Sequence, residues 1–287
     1  MARHWTRRDL LRTGAALPLG WPALAAADRA PLRFGLSPVF LDNDAALIDR
    51  MRATLRDATG RPVDLVQRRT YEEITGLLLE GSIDAAWLCG YPFLKHRAAL
   101  SLVAVPVWRG RPLYRSYLIA GAGDAATELA DLGGGTHAFS DPDSNSGWLV
   151  TASDLARMGR TPDDFFRRTI FTYGHRNVVR AVAAGLTRSG SVDGYVWEVL
   201  SREEPALAGR TRVVARSEWL GFPPLVCRAD RADRPGMRTL SDAFLRMERS
   251  GPGRDMLRTL HLDGFAAPDP ALFDGVAARM RDLADLP

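Results

Sequence analysis

Short, nearly continuous apolar runs alternate along this chain with longer stretches whose apolar residues recur every three or four positions. Leu32-Arg33-Phe34-Gly35-Leu36 reads as a strand, ended by Ser37-Pro38. Ala45 to Ala58 predicts a helix with Ala46, Leu47, Met51, Thr54, Leu55 and Ala58 on one face. Gly60 closes it, where a left-handed residue ends a helix at little cost. Val63 to Val66 is a second strand, and Tyr71 to Glu80 a second helix, stopped by Gly81. Ile83 to Cys89 is almost wholly apolar, as buried parallel strands are, and ends at Gly90-Tyr91-Pro92. Strands alternating with helices predict the α/β class, with sheets covered on both faces.

The pattern then repeats. An apolar helix from Ile74, a Gly81-Ser82 turn, Ile83-Asp84 and an apolar run to Trp87 form one copy. Val179 to Leu186, Gly190-Ser191, Val192-Asp193 and a run to Trp197 form the other. Asp84 and Asp193 recur in both, which predicts a shared turn role, and Trp87 and Trp197 read as buried packing. Two copies this far apart suggest two similar lobes rather than a solenoid, which needs several shorter repeats. Between them, Leu102 to Trp108 and Leu113 to Ala120 read as two long strands. Arg212 to Arg216 and Leu225 to Arg228 are strand-like, and the tail from Thr239 to Leu286 is helical, with breaks at Gly251-Pro252-Gly253 and Pro268-Asp269-Pro270. The chain is expected to build the first lobe from residues 28–118 and 213–287 and the second from 119–212, crossing near Leu118 and Val213. Ligands of open α/β sheets bind beyond the carboxyl ends of strands. Two facing lobes bring those ends to a shared cleft, with hinge closure around the ligand.

The stretch His137 to Gly159 points to what that cleft holds. A short apolar strand is broken by Asp141-Pro142, because proline gives no N–H and restricts its predecessor. Asp143-Ser144-Asn145-Ser146-Gly147 follows, then Trp148, Leu149, Ala152, Leu155 and Ala156 at helical spacing up to Met158-Gly159. Small hydroxyls and free backbone N–H groups thus collect at a helix N-terminus, where the dipole is positive, a seat for a small anion. The plainer reading is an N-cap by Ser144 or Ser146 with no ligand.

Composition narrows the partners. The 287 residues are 46% hydrophobic and 25% charged, which is globular, and long enough for two lobes. The formal net charge of +4 would suggest nucleic acid, but residues 1–27 carry four arginines against Asp9, a net of +3. The remaining chain is close to neutral and has no basic block with interleaved aromatics, so a nucleic-acid partner is not expected. Residues 1–27 read as an export signal: Arg7-Arg8, a mildly apolar run from Ala15 to Leu24 that is too short to span a bilayer, then Ala25-Ala26-Ala27. The paired arginines are similar to a twin-arginine signal, with Leu10 where an aromatic is usual. A periplasmic protein is expected. Cys89 and Cys227 can be inert and free, or paired in an oxidising compartment; alone they make no metal motif.

The chain resembles the phosphonate/phosphite-binding periplasmic proteins of the PhnD family, substrate-binding partners of ABC transporters. The resemblance runs from about Leu32 to Leu260. It is carried by Phe34-Gly35-Leu36-Ser37-Pro38, by Ser82 to Tyr91, by Asp141-Pro142-Asp143-Ser144-Asn145-Ser146-Gly147, and by His175 ahead of the second-copy helix. It implies a two-lobed periplasmic-binding-protein fold (type II-like), each lobe a mixed, mainly parallel sheet flanked by helices. It implies that Ser144, Asn145 and Ser146 hold an oxyanion, that Tyr91 and His175 close on it from the two lobes, and that Ser37 and Cys89 line the cleft. Asn145 replaces the usual threonine, and the Trp87-Leu88-Cys89-Gly90-Tyr91-Pro92-Phe93 form looks more like a branch that includes arsenite-sensing periplasmic proteins. In that branch Cys89 would be the soft ligand of trivalent arsenic, read by a histidine kinase instead of a permease. His175, neutral or cationic near pH 7, could adjust to a mono- or dianion.

Enzyme chemistry is not expected. Ser144-Asn145-Ser146-Gly147-Trp148 is not a nucleophile elbow, no His or Cys pair has metal spacing, and nothing joins Cys89 to His175 or His137 as a nucleophile pair. The expectation is a monomeric binder of a phosphonate, phosphite or phosphate, with no cofactor or metal and no catalytic residue.

Overall fold

A computed structural model describes residues 30–37 and 45–284. The expected export signal, with its arginine pair, lies outside these residues. Residues 31–287 form one compact unit, in which the described residues contain thirteen strands that build two main sheets and a small ribbon. The first sheet uses β1 (Leu32–Leu36), β2 (Val63–Gln67), β3 (Ala85–Trp87) and β4 (Leu100–Val107). The ribbon pairs β5 (Leu113–Tyr114) with β11 (Leu220–Gly221). The second sheet uses β6 (Ser116–Gly121), β7 (Thr136–Phe139), β8 (Arg168–Phe171), β9 (Ser189–Asp193) and β10 (Thr211–Arg216). The chain then returns to the first sheet with β12 (Leu225–Arg228) and β13 (Gly264–Ala266). The orders are β13-β4-β12-β3-β1-β2 and β10-β6-β9-β7-β8.

Both sheets are mixed. Pairing is parallel for β1 with β2 and β3, and for β7 with β8 and β9. It is antiparallel at every join made by β4, β6, β10, β12 and β13. The parallel majority expected from alternating strands and helices is therefore a parallel half.

Several elements differ from the sequence reading. The single strand expected over Leu113 to Ala120 is cut at Arg115, because the chain changes sheets there. Ser116 N–H is taken by the Ser217 hydroxyl at 2.9 Å, and Ser217 N–H returns to Ser116 O at 3.0 Å. The run Ile83 to Cys89 is ladder-bonded only over Ala85–Trp87, and Gly90–Lys95 is a short helix. The strand does end before Gly90-Tyr91-Pro92, and the helix that follows tolerates Pro92 because in a first helical turn its missing N–H removes no helical bond. By the same logic Gly251-Pro252-Gly253 starts a helix, Gly251–Thr259, capped by Ser250, instead of breaking one. The repeat is also out of phase. Asp84 precedes its strand and its carboxylate accepts Arg33 N–H at 2.8 Å, whereas Asp193 ends β9 and caps the helix Gly194–Glu203.

A large apolar core runs from Leu32, Phe34 and Trp87 in the first sheet through Tyr114 and Phe222 to Val178, Val192 and Tyr195 beside the second. A smaller cluster holding Phe139, Phe165 and Phe166 covers the far side of the second sheet. The helix Asp274–Ala284 lies against Val150–Arg157, and its buried Arg279 guanidinium pairs with Glu218 at 2.6 Å and with Asp154 at 2.5 Å.

Candidate functional site

The carboxyl ends of the parallel strands face one another. Ser37 follows β1, Cys89 follows β3, Ser140 to Ser146 follow β7, His175 follows β8, and Asp193 ends β9. Of these, Ser37, Cys89, Ser140, Asp141, Ser144, Asn145, Ser146, His175 and Asp193 are buried, while Pro142 is exposed.

The loop after β7 has unusual geometry for a reason visible in its bonds. Leu149 N–H reaches Ser144 O at 3.0 Å, five residues back, so Asn145–Leu149 is a wide π turn that leads into the helix Val150–Arg157. Such turns recur at functional sites. Ser144 Oγ accepts Gly147 N–H at 2.9 Å. Gly147 is required, because a Cβ there would sit 1.8 Å from Ser140 Oγ. The plain capping bond therefore exists, and it leaves the Ser144 O–H proton free to donate elsewhere. Asn145 is drawn into the opposite sheet's territory. Its N–H donates to Cys89 Sγ at 3.2 Å and its Nδ2 to Tyr114 Oη at 2.8 Å. Ser146 gives its carbonyl to the Ser116 hydroxyl at 2.6 Å.

What these groups leave unpaired defines the site. Ser37 Oγ, Tyr71 Oη, Ser140 Oγ, Ser146 Oγ and Asn145 Oδ1 are buried with no hydrogen-bond partner. Buried polar groups are nearly always paired, so a cluster of orphan hydroxyls marks a place that another molecule completes.

Electrostatically the cleft is neutral on most sides. His175 Nδ1 accepts Asp193 N–H at 3.1 Å, which leaves Nε2 as the N–H donor. Burial pushes His175 down to about 3, which of the two expected forms favours the neutral imidazole. Burial likewise pushes the Cys89 thiol up to about 12. Tyr71 and Tyr114 are raised by the same cause. Asp141 takes Tyr71 N–H on one oxygen at 3.2 Å and Asp143 N–H on the other at 2.8 Å. Burial raises its carboxyl above the usual range, and the two N–H donors oppose that.

Tyr91 is placed differently from the rest. It is half-buried in the helix Gly90–Lys95 and stacks on Trp148 with ring centroids 6.1 Å apart, and the Lys95 ammonium lies 5.4 Å from its ring. Lys95 also pairs with Asp143 at 2.6 Å. Here the two sheets' loops meet outside the hydroxyl cluster. A cavity of about 530 Å³ adjoins this contact, between Thr70–Leu79, His96, Asp143 and Tyr173, and no expected ligand residue lines it. The structure thus brings together Ser37, Cys89, Asn145, Ser146 and His175, keeps Ser144 as cap beside them, and sets Tyr91 at the rim. Cys227 lies on β12 opposite Ala85, and both cysteines are free. Sequence reasoning missed Tyr71, Tyr114 and Ser140. Tyr71 carried the faintest signal, as an aromatic hydroxyl at the start of a helix whose other inward residues are Ile74, Thr75 and Leu78.

Two mixed sheets with a buried polar cleft at their strand ends, crossed twice by the chain, define the two-lobed periplasmic binding proteins. Residues 34–273 match the family described as "ABC transporter, phosphonate, periplasmic substrate-binding protein". The chain belongs to this family of substrate-binding proteins, which are not enzymes and which work in the periplasm with a small-molecule ligand and a transporter permease. The fold is shared with a binding protein component of an ABC phosphonate transporter from Pseudomonas aeruginosa, at 23% identity and a TM-score of 0.80, covering 88% of each chain. It is shared with PhnD1 from Prochlorococcus marinus, solved with methylphosphonate, at 14% identity and a TM-score of 0.79, covering 88% of this chain and 98% of that one. A histidine kinase sensor domain similar to periplasmic binding proteins has the fold at 16% identity and a TM-score of 0.57, covering 84% and 100%. Among the described residues no helix is long and apolar enough to cross a membrane.

Proposed function

We propose that the protein captures a small tetrahedral oxyanion of the phosphonate, phosphite or phosphate class between its lobes and delivers it to an ABC permease. The observation that carries this reading is the set of orphan hydroxyls, Ser37 Oγ, Tyr71 Oη, Ser140 Oγ and Ser146 Oγ, buried at converging strand ends. An oxyanion offers only acceptors. Hydroxyls can donate to it without bringing charge, and each orphan left alone costs about 1–3 kcal/mol. Ser144 O–H and His175 Nε2–H add two further donors, Asn145 belongs to the loop that seats the anion, and Tyr91 closes the rim against Trp148. The lobes turn about the two crossings at Arg115 and Ser217, a few residues from Leu118 and Val213. The protein acts as a monomer after export by the twin-arginine route.

A second reading, an arsenite sensor that signals to a histidine kinase, is favoured by one observation: Cys89 Sγ sits in the cluster and accepts Asn145 N–H. Calorimetry of the wild type, Ser144→Ala/Ser146→Ala and Cys89→Ser against methylphosphonate, phosphite, phosphate and arsenite separates the readings. Oxyanion capture expects the double serine variant to lose at least about tenfold in affinity and Cys89→Ser to bind nearly as well as wild type. Sulfur ligation expects Cys89→Ser to lose arsenite altogether. Failure of the wild type to bind any of the four overturns both.

A further inference from the structure

Asp193 is fully buried beside the hydroxyl cluster, and the capping role explains only half of its carboxylate. Its Oδ1 accepts Tyr195 N–H at 2.8 Å and Val196 N–H at 3.3 Å, the usual service to a helix start. Its Oδ2 is fully buried and has no partner. Its charge is felt at Tyr71 and Cys89 across the cleft and at Tyr114 in the ribbon. Among the described residues no ion pair is made to it: the Arg115 guanidinium lies over the Trp219 ring at 4.5 Å, and Arg176, beside His175, pairs with Glu204. Burial pushes the Asp193 carboxyl up to about 7, against the pull of the two helix N–H groups.

An anion placed among the surrounding hydroxyls therefore meets a carboxylate oxygen. Two bare anionic oxygens in contact are both acceptors and repel; with one proton between them they form a short, charge-assisted bond. We propose that Asp193 is the specificity-determining residue of the cleft, its Oδ2 sharing a single proton with a ligand oxygen, so that the ligand is captured only together with a proton. The proposal rests on the oxyanion reading above. The other titratable groups around Asp193 do not supply this proton. His175 is neutral and already takes the Asp193 N–H. Tyr71, Tyr114, Tyr195 and Cys89 are held protonated by burial.

The sign follows from linkage. Above the pH at which both the free ligand and Asp193 have lost their protons, binding must take one up, and Kd rises about tenfold per pH unit. Asp193→Asn keeps an oxygen for the cap and turns an amide N–H toward the ligand, so it needs no proton. The experiment measures methylphosphonate affinity by calorimetry from about pH 7 to about pH 9.5, in buffers of different ionisation enthalpy, to count protons. The wild type is expected to take up about one proton at the upper end, with Kd climbing accordingly, while Asp193→Asn takes up none there and its Kd stays flat. Asp193→Ser, which also caps, is expected to lose the proton too and stands in if the amide variant does not fold. His175→Gln is expected to keep the wild-type slope. A wild-type Kd that does not change over this range, or an Asp193 variant that still takes up the proton, overturns the proposal while the oxyanion reading survives. A wild type that binds neither methylphosphonate, phosphite nor phosphate overturns both.

Discussion

Replacing Ser146 by alanine should move stability and affinity in opposite directions. In the unliganded structure Ser146 Oγ is buried and unpartnered, so the hydroxyl contributes nothing to the fold and carries its own desolvation cost, about 1–3 kcal/mol. Removing it leaves stability unchanged or raises it; 1 kcal/mol corresponds to a Tm increase of about 2–4 °C for a chain of this size. With an oxyanion bound, the same hydroxyl donates to a charged acceptor, worth about 1.5–3 kcal/mol. Its loss raises Kd about ten- to a hundredfold. Ser144→Ala provides the contrast. Ser144 Oγ holds Gly147 N–H, so that variant should lose both affinity and about 1 kcal/mol of stability. Thermal melts without ligand and calorimetry with methylphosphonate read the two quantities separately. A Ser146→Ala protein that melts lower and binds as tightly as wild type refutes the reasoning, because the hydroxyl would then be structural.

Gly147→Ala should unseat the π turn and abolish binding with the rest of the fold intact, since its Cβ would meet Ser140 Oγ at 1.8 Å; wild-type affinity in that variant would contradict the geometry. Burial holds both His137 and His175 at about 3, below the unfolded value near 6.5. The unfolded chain therefore binds their protons first, and each ring's contribution is present above about pH 6.5 and lost toward pH 3, at about 1.4 kcal/mol per pH unit. Asp193, raised to about 7, works in the opposite direction between about pH 4 and 7 and offsets one of the two rings. NMR of the ring protons checks this: neither buried ring should titrate between about pH 5 and 8, and a midpoint in that range for either would be contrary. Cys89 and Cys227 should be inert to a thiol reagent in the native protein and both react after denaturation; a single bridged pair would leave no reactive thiol.

Much of this architecture could be read from residue patterns, because its strands are short apolar runs bounded by glycine, proline or polar turns. The loop after β7 was readable for the same reason: Pro142, three small polar residues and Gly147 leave little but a turn. What could not be read depended on contacts between distant segments. Tyr71 and Tyr114 look like core aromatics in sequence, and only the packing of Cys89 and Asn145 around them leaves one hydroxyl orphaned and engages the other. The break at Arg115 has no local signal, since residues on both sides favour strand; the Ser116–Ser217 exchange, about a hundred positions apart, creates it. Asp193 was legible as a turn residue, which its capping oxygen bears out, but the state of its second oxygen depends on burial. Pro92 could not be read as helical because its position within a helix, not its identity, decides whether it stops one.

The reciprocal bonds between Ser116 and Ser217 have a mechanical consequence. They lash the two crossing segments together at a single level, as two wires soldered side by side. Joined in this way, the crossings cannot slide lengthwise past each other, and translation or shear of one half against the other would break both bonds at once. What is left is a swing about the line the pair defines. On the proposed reading, the Arg279 pairs with Asp154 and Glu218 limit how far that swing travels before charge is pulled apart, and the presence of an anion becomes an angle that a partner at the membrane reads without touching the ligand.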